Sequence, residues 1–305
     1  MSIAVFGSIN IDLTTYAKRL PAPGETLHGD TYGLGLGGKG CNQAVACVKL
    51  GAQTAMIGRI GPDMFGETAL KALTELNVPT DHIYSDPDNK TGIAVIGVDE
   101  KAENCITVIG GANMAIDESD VVRSQAVFKA SDILLLQLEI PMQAGLKAAA
   151  LVREAGGRVI FDPAPAPAEG LADAVLSQID IITPNETETG LLTGLRPSNR
   201  AEAAEAATRL RARGVPVAII KLGAHGVYFQ SATEEGFVEP FKVEAIDTVA
   251  AGDCFNGGLA YALADGLSLS DAVRFAAACG ALSTTKRGAS SAAPTLAEVT
   301  AMLNA

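Results

Sequence analysis

Tryptophan is absent from the chain, and histidine occurs only at His28, His82 and His225. The missing tryptophan carries no functional message. Three scattered histidines, by contrast, give no recognisable histidine metal cluster or catalytic triad. Cysteine is scarce as well: the five residues at 41, 47, 105, 254 and 279 are odd in number and contain no C-x-x-C pair. That pattern suits neither a disulfide framework nor a zinc knuckle, and most of these thiols read as small buried hydrophobes. Positive charge is in deficit, with 23 Lys and Arg against 35 Asp and Glu and a net charge of −12. Such a surface repels a phosphate backbone, so no general nucleic-acid partner is expected. No apolar run approaches the roughly 18 residues of a membrane span, and no charged segment leads into a long apolar one. A cytoplasmic protein with no membrane partner is the expectation.

What is present is apolar residue in quantity, 48% of 305 positions, enough for a large core in one α/β domain with an insertion. Short β-rich runs at 3–9, 54–60, 132–138, 158–161, 179–183 and 217–222 alternate with helical patterns. The helical patterns fall at 39–50, 66–76, 143–154, 201–213, 253–264 and 270–285, several ending in glycine, as at Gly51, Gly156, Gly214 and Gly266. This order predicts an α/β fold, a doubly wound and mostly parallel sheet with helices on both faces. One segment breaks the alternation: 91–98 and 104–109 read as two strands around a polar turn with no crossover helix. With the irregular stretch 12–32 they form either a small sheet standing off the domain or a plain hairpin decoration. A lid is the more useful reading if a site lies beside it, because phosphoryl transfer must exclude water.

Polar residues follow several of the apolar runs: Asn10 and Asp12, Gln137 and Glu139, Asp162, the run Asn185, Glu186 and Glu188, and Gly223. Ligands of parallel sheets gather beyond the carboxyl ends of strands, so five such ends on one rim point to a shared site. Asn10, Asp12 and Glu139 offer the donors and acceptors that sugar hydroxyls need. Asn185-Glu-Thr-Glu188 offers acceptors that could order Mg²⁺ through its waters. The glycine-rich run Gly33-Leu-Gly-Leu-Gly-Gly-Lys-Gly40 matches G-x-x-x-x-G-K, but Gly40 stands where a P-loop carries Ser or Thr. Its G-x-G-x-x-G match lacks a convincing preceding strand. What remains is a backbone that approaches a ligand closely, with Lys39 and Asn42 at the start of a helix.

Asp247-Thr-Val-Ala-Ala-Gly-Asp253 places small residues and a carboxylate at a helix start. Exposed N–H groups there suit an anion, and Asp253 suits a proton acceptor, the pairing that phosphoryl transfer to a hydroxyl requires. Taken alone, the heptapeptide is read at least as well as an ordinary helix cap.

Together, Gly7-Ser-Ile-Asn-Ile-Asp12, Gly37-Gly-Lys-Gly-Cys-Asn42, Thr183-Pro-Asn-Glu-Thr-Glu188 and Asp247-Thr-Val-Ala-Ala-Gly-Asp253 resemble the ribokinase-like carbohydrate kinases, in the right order along nearly the whole chain. The resemblance implies one domain over 1–305 with a small β-sheet lid from about 12–33 and 91–110, and a homodimer formed through that lid. It implies ATP-dependent phosphorylation of D-ribose at its terminal hydroxyl, with deoxyribose, another pentose, fructose or a nucleoside as alternative acceptors. A sugar-binding sensor without catalysis, and a dehydrogenase resting on the glycine match alone, are readings of other classes. The family's roles carry over as follows. Asp253 is the base, with Ala251 and Gly252 completing an anion hole. Asn10, Asp12, Gly38, Lys39, Asn42 and Glu139 hold the sugar. Asn185, Lys221, Gly223, Gly226 and Gly252 line the ATP site, with Glu188 assisting Mg²⁺. Asp247 and Val249, with backbone oxygens near Thr284, Arg287 and Gly288, hold a monovalent cation, K⁺. Two positions depart from the pattern. Ala250 replaces the commoner glycine, as in ribokinase members, and Ala292 stands where a serine completes the cation site, with Ser290 or Ser291 to substitute.

Overall fold

The computed structural model describes residues 2–101 and 103–305. Its strands are β1 (Ser2–Phe6), β2 (Asn10–Tyr16), β3 (Thr31–Gly37), β4 (Gln53–Ile60), β5 (Ile83–Ser85), β6 (Gly92–Val98) and β7 (Asn104–Ile109). After these come β8 (Ile133–Leu136), β9 (Arg158–Phe161), β10 (Ile181–Ile182), β11 (Val217–Lys221), β12 (Val227–Gln230) and β13 (Glu235–Val238). The helices are α1 (Lys39–Lys49), α2 (Met64–Glu75), α3 (Glu118–Arg123), α4 (Gln125–Lys129), α5 (Met142–Glu154) and α6 (Asp173–Leu176). The chain ends with α7 (Glu186–Thr193), α8 (Arg200–Ala212), α9 (Ala251–Ala264), α10 (Leu269–Ser283) and α11 (Leu296–Leu303).

The main sheet runs β13-β12-β11-β10-β9-β8-β1-β4-β5. Every neighbouring pair from β5 to β11 is parallel, and β12 and β13 add an antiparallel edge. Both faces are covered, and β1 displays the reason in its alternation. Ile3 and Val5 pack with α1, α2, α9 and α10, while Ala4 and Phe6 pack with α3, α4, α5 and α8. Side chains two apart share a face, so a run that is apolar at every position must be buried on both sides. Each such Ile, Val or Phe contributes roughly 1.5–3 kcal/mol by leaving water. Strand order reverses between β1 and β8, which opens the ligand crevice of a doubly wound fold beyond their carboxyl ends.

The run at 3–9 does not stay in one strand. It leaves the main sheet after Phe6, and Asn10 opens β2 of a second sheet with order β3-β2-β6-β7. The stretch 12–32, expected to be irregular, lies in strand at both ends, since β2 and β3 pair along their whole length. Its alternation was hard to read because this sheet is largely solvated: Tyr32 is 71% exposed, and β7 is exposed at every position. The glycine-rich run is likewise the end of β3 and the turn into α1. The strand expected over 179–183 shrinks to Ile181–Ile182.

Candidate active site

Asp253 lies in the first turn of α9, 4% exposed, at the carboxyl-end rim of the sheet. The helix begins without a side-chain cap. Ala250, the residue before it, has φ 59° and ψ 13°, a left-handed conformation that costs an alanine about 1–2 kcal/mol. Ala251 N–H closes a turn on Thr248 O (3.3 Å), whereas the Gly252 and Asp253 N–H groups have no partner among the described residues. A pair of unclaimed amides at a helix N-terminus is an anion seat.

Helix α1 supplies the partners of Asp253. Asn42 Nδ2 donates to Oδ2 and Gln43 Nε2 to Oδ1, each at 3.0 Å. Small residues bring the two helices this close, for a Cβ at Gly257 would lie 2.5 Å from Ala46 Cβ. Burial pushes the Asp253 carboxyl above its ordinary value, and nearby Lys39 pulls it back. Burial works to neutralise Lys39 too, but Asp253, Asp162, Glu139 and Glu188 together hold it charged beyond the usual lysine range.

The proposed sugar side gathers Asn10, Asp12, Lys39 and Glu139. Glu139 Oε2 accepts from Ser8 Oγ and from Lys39 N at 3.0 Å. Asp12 faces Glu139, and burial with that neighbouring charge pushes its carboxyl up to about 6. Gly37 and Gly38 are needed for contact: a Cβ at Gly37 would sit 2.2 Å from Asp12 Oδ1, and one at Gly38 2.9 Å from Asn10 N. Asn113 fixes Asn10. Its Nδ2 donates to Asn10 Oδ1 (2.7 Å) and Ile9 O (3.1 Å), and its Oδ1 accepts from Ile9 N (2.9 Å).

On the other side of Asp253, Lys221 Nζ reaches Asp162 Oδ1 at 3.0 Å, with both side chains largely buried. The same Nζ is 3.4 Å from where a Gly252 Cβ would be, so Lys221 stands between the unclaimed amides and the next rim loop. That loop turns through Gly223 and Gly226, both at positive φ. Asn185 and Glu188 form a reciprocal capping box on α7: Asn185 Oδ1 accepts from Glu188 N (2.9 Å) and Glu188 Oε2 from Asn185 N (2.8 Å). Burial raises the Glu188 carboxyl, against the opposing pull of Lys221.

The residues expected around a monovalent cation also meet. Asp247 Oδ1 accepts from Val249 N and its Oδ2 from Gly288 N, both at 3.0 Å, tying the loop before α9 to the segment after α10. Thr284 O accepts two amides, from Ile246 (2.7 Å) and Asp247 (3.1 Å), which engages both of its lone pairs. Of the two serines, Ser290 is committed to Asn42 Oδ1 (2.6 Å), while Ser291 Oγ lies over Gly288 and 3.5 Å from Arg287 O. No cluster of three or more His, Cys, Asp or Glu able to hold a metal occurs among the described residues.

A family model, the pfkB family carbohydrate kinases, matches residues 1–296. The chain belongs to the pfkB family. This pfkB chain is 42% identical over 297 residues to a ribokinase of Haemophilus influenzae, covering 97% of this chain and 96% of that one. It is 33% identical to a deoxyribokinase of Salmonella typhi over 97% of this chain and 96% of the other. Its fold matches an Arabidopsis thaliana ribokinase complexed with ribose and ATP at a TM-score of 0.91, with 32% identity and 99% and 98% coverage.

Sequence reading gave no place in the pfkB site to Gln43 or Asn113, quoted Ser8 only inside a motif, and set Gln137 and Asp162 on the rim without a role. A usable signal existed for Gln43, an uncharged polar residue on the apolar side of a helix beside Asn42. Asn113 had none, since its partners lie about a hundred positions away.

Proposed function

We propose that the protein transfers the γ-phosphoryl group of ATP to the terminal hydroxyl of D-ribose, giving ribose 5-phosphate. The observation that carries this reading is the buried Asp253 carboxylate, held by two amide donors at the uncapped start of α9. Asp253 takes the hydroxyl proton as the oxygen attacks phosphorus, and the Gly252 and Asp253 N–H groups meet the negative charge on the moving phosphoryl group. Asn10, Asp12, Gly38, Lys39, Asn42 and Glu139 hold the sugar. Asn185, Lys221, Gly223, Gly226 and Gly252 line the nucleotide crevice. The near-full-length likeness to ribokinases supports ribose, and the likeness to a deoxyribokinase supports 2-deoxyribose as the runner-up.

Carboxylates outnumber cations here: Asp12, Glu139, Asp162, Glu188 and Asp253 surround Lys39 and Lys221. A triphosphate would be repelled by that excess, which supports a need for bound cations. Mg²⁺, ordered through water by Glu188, would neutralise phosphate charge. K⁺ would add positive field beside the amides, held by oxygens of Asp247, Val249, Arg287 and Gly288, with Ser291 the better substitute for the missing serine. Thr284 then ties the loop. The small sheet closes over the sugar as a lid, and its exposed apolar residues Tyr32, Leu34, Val95 and Ile109 support pairing with a second copy. No described helix is long and apolar enough to cross a membrane, and five unpaired thiols suit the reducing cytosol.

ADP release measured with ribose, 2-deoxyribose, fructose and adenosine, with and without K⁺, tests the reading. Ribose should give the highest kcat/KM, and Asp253→Asn should bind ATP yet lose most turnover. ATP-independent sugar binding with no turnover on any acceptor would favour a sensor instead.

A further inference from the structure

Gln43 is 0% exposed, an unusual place for a glutamine. Both ends of its amide are occupied. Gln137 Nε2 donates to Gln43 Oε1 at 2.7 Å, and Gln43 Nε2 donates to Asp253 Oδ1 at 3.0 Å and to Asp162 Oδ2 at 3.4 Å. Gln137 is itself buried, and its Oε1 is sealed without a partner against Gly7, where a Cβ would lie 2.1 Å away. The orientation of Gln43 follows from charge: reversing the amide would set its oxygen against two carboxylates. We propose that Gln43 is a positioning residue for phosphoryl transfer, its amide aimed by Gln137 so that it holds the Asp253 carboxylate in the anionic form that takes the proton.

This inference rests on Asp253 being the base. The charged and titratable groups facing Asp253 are Lys39 on α1, Asp162 beyond β9 and Cys254 beside it, with Lys221 reaching in through Asp162. Glu139 and Glu188 lie farther round Lys39. Only the anion gains from two amide donors, so they act with Lys39 against burial and against Asp162. Gln43 does this without adding charge, and one NH₂ group bonded to both carboxylates also spaces them.

The pH profile of kcat/KM for ribose at saturating ATP and Mg²⁺, compared for the parent, Gln43→Leu and Asp253→Asn, tests it. Gln43→Leu should move the acid limb upward by about one pH unit, a tenfold loss below both limbs, and approach the parent at high pH. Its KM for ATP should not change. A loss by the same factor at every pH, or no loss, would overturn the proposal while leaving the base in place, provided Asp253→Asn is inactive. Should Asp253→Asn turn over normally, the underlying reading fails instead. If Gln43→Leu does not fold, Gln137→Leu frees the same amide and should shift the limb in the same direction; an unshifted limb there overturns the proposal.

Discussion

Replacing Gly257 by alanine tests whether helix packing sets the geometry of the base. Alanine is the better helix former by about 1 kcal/mol, so with room to spare the variant would be more stable. The structure leaves no room. The new Cβ would stand 2.5 Å from Ala46 Cβ, 3.2 Å from Gln43 O and 3.3 Å from Cys47 N. None of these atoms ends a flexible side chain, so α9 must move off α1 by about 1 Å to restore ordinary carbon contact. Overpacking of this kind costs about 1–3 kcal/mol net, which lowers Tm by roughly 2–5 °C in a chain of this size. The same shift draws Asp253 away from Asn42 and Gln43, and a displacement of about 1 Å can cost about 10²-fold in rate. Thermal melts and steady-state kinetics should therefore fall together. Adding Ala46→Gly removes the colliding atom, and its helix-propensity loss of about 1 kcal/mol offsets the gain at 257. The double variant should recover most stability and rate. A Gly257→Ala protein that is more stable and fully active would refute the reasoning.

Ala250→Gly should relieve the left-handed strain. About 1–2 kcal/mol gained, less about 0.4–1 kcal/mol of added unfolded-state entropy, predicts a slightly higher urea midpoint; a lower one contradicts it. Asp12 titrates at about 6 instead of 3.8 in the folded state, so the folded chain binds that proton more tightly than the unfolded one. Stability then falls as pH rises from about 4 to 6. Asp12→Asn should accordingly raise Tm at pH 7.5 but scarcely at pH 4, and melts at the two pH values will distinguish this from a constant offset. In the parent, KM for ribose should rise as pH drops through about 6. By sedimentation the parent should have the mass of two copies, and Leu34→Glu with Ile109→Glu should reduce it to one; a one-copy parent mass rules out the lid dimer.

The sequence by itself determined the α/β class, because runs apolar at every position, such as Ala4-Val-Phe6, can be buried only between two helical layers. It also marked the rim, since Asn10, Glu139, Asp162 and Asn185 stand where apolar runs end, and it set Asp253 at a helix start. Local pattern could not reveal the small sheet's extent, because β3 is largely exposed and broken by glycines, which leaves no clear alternation. Nor could it pair Gln43 with Asp253, 210 positions apart, or send Ser290 to Asn42 and Ser291 to Arg287. The contact of Gln43 with Asp253 depends on the distance between α1 and α9, which the close packing of Gly257 on Ala46 sets.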